Sequence, residues 1–327
     1  MESLKIHRRH GLQRDENGAW AFTEESLPYR PKEGFHQVFN EHAVRYLNSF
    51  DIVFRAAKSA CEFEFVYTLL GVKGMKDMSW DPFETTRRTI PAMIKLYEKI
   101  EDFEMQRHLA LWTYGHIVEA SEPYERLANL IAVSQGERFK ICQFPPDKKG
   151  RPQSPGEKIR KLDEMAKGAG MPSVADPLKE IWDRALRNSV FHADYGLHGN
   201  SVIIPSAFRT YTHDQIMQLI NRALAYHHAL VKLIEIYRET YERPTVIAVH
   251  PRFGHFPNEK ATVVVREGAG AIGLKDAWTL DAIGRGHIPW FVGIVLYEES
   301  KQLSANHSIN FFRADGKGEE APVKVSQ

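Results

Sequence analysis

Cysteine is scarce: Cys61 and Cys142 are the only two in 327 residues. Two thiols exclude a disulfide framework and a cysteine-rich zinc module. They fit a reducing, cytoplasmic setting. No apolar run reaches the roughly 20 residues that span a bilayer. The opening stretch, Met1 to Gly18, has no apolar centre of the kind a secretion signal needs, so no membrane partner is expected. An excess of one charge is missing too. The 43 Lys+Arg and 42 Asp+Glu leave a formal charge of +1. That balance excludes a broad basic coat for nucleic acid and still allows one local cationic site. There is no internal repeat and no low-complexity tract. What is present is a 43% hydrophobic share with 11% aromatics, enough for a packed core.

Residues 1–35 read as a polar N-terminal arm with Pro28 and Pro31 near its end. Helical patterning then runs to about Arg243. Several helix starts carry their own punctuation. Asp81-Pro82-Phe83-Glu84 and Ser154-Pro155-Gly156-Glu157 each combine an N-cap, a first-turn proline and an acid three residues on. Thr212-His213-Asp214-Gln215 is a capping box without the proline, and Asp176-Pro177 is a weaker form. Pro123 either kinks a helix or opens a new one after Ser121. These marks predict helices near 36–70, 82–120, 122–135, 155–168, 176–194 and 212–241. After Arg243-Pro244 the runs Thr245–Val249, Ala261–Val265 and Trp290–Leu296 are β-rich. The fold class expected is therefore mainly α, a helical body over 36–243 with a small β-rich C-terminal appendage over 244–327.

The segment that carries chemistry is Arg187-Asn188-Ser189-Val190-Phe191-His192. It lies late on the helix predicted from Asp176, whose expected stop is Gly196. Arg offers a permanent planar cation for a phosphate. His titrates near neutral pH and moves protons. Asn can orient either group. Such a set, with no metal and no cofactor, can cleave RNA with the ribose 2′-hydroxyl as the internal nucleophile. At about 100° per residue, Arg187 and His192 diverge by about 140° on an ideal helix, whereas Asn188 and His192 share a stripe. Either the helix ends or bulges before His192, or a second chain completes the site. A purely structural alternative pairs Arg187 with Asp183, uses Asn188 as a cap and packs His192 under Tyr195.

Arg187-Asn188-x-x-x-His192 resembles the signature of the HEPN superfamily, an Arg followed four to six residues later by His, often with a polar residue just after the Arg. The resemblance covers the helical body, roughly 36–243, but only the motif and its flanks are specific. The stretch from His116 through Phe144, and Tyr195, are similar in style to an uncharacterised bacterial branch. The resemblance implies an all-helical bundle and a metal-independent endoribonuclease working as a homodimer with a composite cleft. It implies Arg187 and Asn188 with His192 as the catalytic residues. It also implies a toxin–antitoxin or antiviral setting, with an antitoxin or other regulatory protein as partner. A non-catalytic interaction or nucleotide-binding module of the same fold is the alternative, and a β-rich tail carrying the ligand specificity is a third.

Other features are weaker. Tyr195, as a base-stacking ring, and His198 are accessory candidates. The 138–161 stretch is basic, and Lys148, Lys149 and Arg151 are candidate RNA contacts. Arg30 with His36, and Arg222 with His227 and His228, share the motif spacing without the Asn. Gly268-Ala269-Gly270-Ala271-Ile272-Gly273 matches a dinucleotide-loop pattern, but too little chain follows it, and a glycine-rich β-turn is expected. His250 and His255 do not have the ligand spacing of a zinc site. The near-neutral charge predicts weak, local RNA binding with a modest salt dependence.

Overall fold

The computed structural model describes residues 10–23, 35–70, 82–140, 142–243 and 245–248, together with the backbone of five further strands between 260 and 324. The protein is mainly helical with a few small antiparallel sheets. Helix α1 spans Phe35–Ala60, α2 Glu62–Leu70, α3 Pro82–Tyr97, α4 Phe103–Glu119 and α5 Ser121–Ser134. After a loop come α6 (Pro155–Gly168), α7 (Asp176–Ile181), α8 (Arg184–His192) and α9 (His213–Glu239). Among the described residues no helix is long and apolar enough to cross a membrane.

Two of the helix starts follow their punctuation, while Asp81 lies outside the described residues. Ser154 accepts the Glu157 N–H while the Glu157 carboxylate accepts the Ser154 N–H at 2.8 Å, a complete capping box ahead of α6. Thr212 and Gln215 exchange the same pair of bonds at 2.9 and 3.2 Å ahead of α9. Asp176 lies inside the first turn of α7 and makes no capping bond to the backbone; Ala175 is the cap. Pro123 falls within the first turn of α5, so a new helix begins after Ala120. The expected 82–120 helix is two helices. Asp102 ends the interruption by accepting the Met105 N–H at 2.7 Å, at a capping position with no Glu or Gln three residues on.

The chain divides into two compact units. The first gathers the described residues of Met1–Val53, Phe83–Tyr124 and Phe144–Leu233. Its core is the apolar stripe of α1 (Phe39, Ala43, Tyr46, Leu47, Phe50), most of α4, and Ile216, Ile220, Ala223, Tyr226 and Leu230 of α9. Spacings of three and four put each stripe on one helix face. Within the stretch read as an arm, β1 (Leu12–Arg14) and β2 (Trp20–Phe22) form a hairpin. Trp20 and Leu12 are buried, the Trp20 N–H donates to Asn48 at 2.7 Å, and Arg14 pairs with Asp51. A second small meander, β3 (Gly196–His198), β4 (Ser201–Ile204) and β5 (Arg209–Thr212), follows α8. Buried Arg107 of α4 holds its first turn by donating to the carbonyls of Gly199 and Ser201 at 2.7 and 2.5 Å.

The second unit gathers Phe54–Pro82, Glu125–Gln143 and Ile234–Gln327. Phe54, Phe65 and Tyr237 pack ring on ring at 5.1 to 6.1 Å. Arg126 donates to the Thr68 and Leu69 carbonyls at 2.7 Å each, placing a cation on the C-terminal end of α2, where the helix dipole favours it. Strands β6 (Thr245–Ala248), β7 (Lys260–Arg266) and β8 (Ala269–Leu274) form one antiparallel meander. Strands β9 (His287–Val292), β10 (Ser308–Arg313) and β11 (Gly318–Lys324) form another. The glycine-rich 269–273 run is therefore strand rather than turn: Gly270 pairs with Val265 and Gly273 with Thr262. No helix follows it among the described residues, as a dinucleotide loop would require. His250 and His255 lie outside the described residues.

Candidate functional site

The helix predicted over 176–194 is broken in two. Trp182 and Asp183 are extended, at φ −81° and −124°. The break is stitched by one distant atom. The Tyr114 hydroxyl of α4 donates to the Ile181 carbonyl at 2.9 Å and accepts the Asp183 N–H at 3.1 Å. Two backbone groups that the break would orphan are thus satisfied. The Asp183 carboxylate then caps α8, accepting the Leu186 N–H at 3.0 Å, and takes the Tyr211 hydroxyl at 2.7 Å. Helix α8 stops at Ala193, not Gly196. Ala193 adopts the left-handed conformation (φ 52°), and Asp194 N–H turns back to the Ser189 carbonyl at 2.9 Å, an ending more often given to glycine. Gly196 instead opens β3.

Gly115 decides how closely α8 lies on α4. A Cβ there would meet Val190 Cγ1 and Phe191 Cε2 at 3.1 Å. The close approach brings Arg187 of α8 to Glu119 of α4, where the Arg187 Nε and Nη2 both engage Glu119 Oε1. The Arg187 Nη1 donates to Asn188 Oδ1 at 2.9 Å, and its guanidinium lies 5.3 Å from the Phe191 ring centre. Arg187 therefore pairs with Glu119 rather than with Asp183, which is occupied as the cap. His192 is the last residue of α8, is exposed, and has no hydrogen-bond or ion-pair partner among the described residues. It does not pack under Tyr195. The helix runs unbroken through His192, so within one chain Arg187 and His192 keep the wide angular separation of positions five apart.

Tyr195 is turned to α4. Its hydroxyl and His108 Nδ1 share a hydrogen bond of 2.8 Å, and His108 stacks on the half-exposed Trp112 at 5.9 Å. Burial holds the Tyr195 hydroxyl above its ordinary pKa. His198 ends β3, exposed, opposite Ser201. In the basic stretch, Asp147 organises the turn: its carboxylate accepts the Lys149 and Arg151 N–H groups at 2.8 and 2.9 Å and the Arg151 side chain at 2.7 Å. Those bonds, Arg151's first, hold the Asp147 carboxyl below its ordinary pKa. Lys148 and Lys149 are exposed, without ion-pair partners among the described residues. Lys158 is buried instead, donating to Ser121 at 2.8 Å.

The other motif-spaced pairs resolve differently. Arg30 lies outside the described residues. His227 and His228 sit mid-helix on α9, and burial drives their pKa values down to about 4 and about 3. His227 is buried and His228 partly so, both within the packing of α9.

What sequence reasoning missed is Glu119, 68 residues from Arg187, and a cleft beside the motif. The cleft, of about 570 Å³, is lined by Trp182, Asp183, Arg184, Asn188 and Arg209 among others. Asn188 thus belongs to both the Arg187 cluster and the cleft. Nothing in a helical pattern signals either partner, since both are set by which helices meet. The chain matches no family model, no curated protein and no solved structure.

Proposed function

We propose that this chain is a metal-independent endoribonuclease built on a HEPN-like helical bundle with a β-rich C-terminal appendage, cytoplasmic and acting as a homodimer. One observation carries the reading. A nine-residue helix with a side-chain N-cap and a left-handed C-cap holds Arg187 and Asn188 bonded together, and it leaves His192 exposed in its last turn. In this reading Arg187 neutralises the scissile phosphate, exchanging part of its contact with Glu119 for phosphate oxygens. The 2′-oxygen gives up its proton and bonds to phosphorus as the bond to the 5′-oxygen breaks. His192 takes the first proton or supplies one to the departing oxygen, and Asn188 orients the cation. The products are a 2′,3′-cyclic phosphate and a 5′-hydroxyl. A second copy supplies the facing half of the cleft, as the angular separation of Arg187 and His192 asks. A toxin or antiviral role, restrained by a regulatory protein, is the setting that goes with this chemistry.

The test is incubation of wild type and His192→Ala with mixed RNA in EDTA. Cleavage that persists in EDTA and disappears in the variant supports the reading. Equal cleavage by both, or none by wild type, sinks it, and a monomeric solution mass at micromolar concentration removes the composite site. One observation favours the non-catalytic alternative, in which the bundle binds a partner or a nucleotide: the Arg187 charge is already countered by Glu119. That alternative expects no cleavage from wild type.

A further inference from the structure

The cleft beside Asn188 has features that neither packing nor the motif explains. Its walls come from the α7–α8 break and from the corner between β4 and β5. Arg184 is exposed and has no hydrogen-bond or ion-pair partner among the described residues. Arg209 is 57% exposed and reaches Asp183 only at 3.5 Å and the Tyr211 hydroxyl at 3.3 Å. Asp183 is the one anion of the lining, and its carboxylate already accepts Leu186 N–H and the Tyr211 hydroxyl. Trp182 is held in the wall by close approach to α6, where a Cβ on Gly156 would meet the indole at 3.0 Å.

Phe208 falls between the lining residues Ala207 and Arg209 and is not itself part of the lining. It is 98% exposed and adopts φ 51°. The left-handed backbone ends the single turn Pro205–Ala207, with the Phe208 N–H donating to the Pro205 carbonyl at 3.1 Å; the phenyl ring, fully in water, gains nothing from burial. That turn presents the exposed ring beside a cleft lined by two guanidinium groups. Cations within the cleft and an unpaired ring at its edge match a nucleotide: phosphate for the guanidinium groups, the face of a base for the phenyl.

We propose that this cleft is a subsite for one unpaired nucleotide of an RNA strand flanking the scissile phosphate. Arg184 and Arg209 hold its phosphate, and Phe208 stacks on its base. Asn188 joins the subsite to Arg187. A stacked base is accessible only in a single strand, so the subsite selects unpaired RNA. This assignment rests on the ribonuclease reading for its ligand class, and a binding measurement separates the two.

The experiment uses full-length His192→Ala protein and an end-labelled single-stranded RNA 12-mer, read by fluorescence anisotropy. Phe208→Ala should raise Kd by about fivefold or more, the lower end of the loss when a stacked base loses its ring. Phe208→Trp should restore it. Arg184→Gln with Arg209→Gln should weaken binding and reduce the slope of log Kd against log salt by about 0.7, one phosphate on a single strand. Leu96→Ala, an exposed residue of α3, should leave Kd unchanged. Circular dichroism should show that the Phe208 variants stay folded. Equal Kd for all variants, no RNA binding by the parent, or equal affinity for the annealed duplex overturns the subsite. Displacement of the strand by equimolar free mononucleotide overturns the strand assignment. Loss of binding in Phe208→Ala, together with no cleavage by wild type, would keep the subsite and remove only the nuclease reading.

Discussion

Lowering the pH from about 7 to about 5 should destabilise the protein, because its first unit holds neutral two histidines that the unfolded chain protonates. His227 faces His116 and Arg87, and His228 faces Lys232 and His227, all cationic or able to become so. His228 also lies against the rings of Phe22 and Phe39, and the Nε2 atoms of both histidines are buried without a hydrogen-bond partner among the described residues. Their folded pKa values, about 4 and about 3, lie below the unfolded 6.5. The unfolded chain therefore takes up protons first as the pH falls. Stability is fully present above pH 6.5 and is lost progressively below it, down to the folded values. At 1.36 kcal/mol per pKa unit, each histidine removes about 2 kcal/mol by pH 5, about 4 kcal/mol for the pair. That is a large share of a typical folding free energy of roughly 5–15 kcal/mol. Urea unfolding followed by circular dichroism at the two pH values measures the loss. His228→Leu should remove about half of the difference between them, whatever it does to stability at pH 7. Equal unfolding free energies at both pH values, or a full loss retained in the variant, would refute the reasoning.

Three further outcomes follow from contacts already described. Ser154→Ala removes the capping box of α6 and should lower stability by about 1 kcal/mol, measured as a shift in the urea midpoint. Tyr114→Phe leaves the Ile181 carbonyl and the Asp183 N–H without their shared partner. It should cost about 1–3 kcal/mol, with calorimetry detecting a Tm several degrees lower. Glu119→Gln keeps the shape beside Arg187 and removes the charge; on the ribonuclease reading it should tighten RNA binding in an anisotropy titration, because the guanidinium no longer exchanges a carboxylate for a phosphate.

The helices whose ends are local were legible. Ser154–Glu157 and Thr212–Gln215 bracket bonds within four residues, so α6 and α9 began where the residue types placed them. The break at Trp182–Asp183 was not legible, because the atom that stabilises it belongs to Tyr114, nearly 70 positions away. The β3–β5 meander escaped notice because its strands are three or four residues long and show little alternation, although Gly199-Asn200 is a turn signal. The 138–161 stretch read as basic, yet Arg151 is engaged by Asp147 and Lys158 is buried on Tyr124. Arg222 with His227 shows the limit of spacing alone: burial, which spacing does not encode, removes that pair from consideration. The motif residues Arg187, Asn188 and His192 were legible as a group, but Glu119 and the cleft were not, since both depend on which faces of α4, α8 and the β4–β5 corner meet.

The Tyr114 hydroxyl has a dynamic consequence. Asp183 is at once the residue whose amide this phenol accepts and the residue whose carboxylate caps α8. When α4 breathes away from the junction, the amide loses its partner and the cap loses its anchor in the same event. The first turn of α8 should then fray together with the α4 contact rather than independently, as a single cooperative opening. Amide hydrogen exchange at Asp183 and Leu186 would report that opening at one common rate.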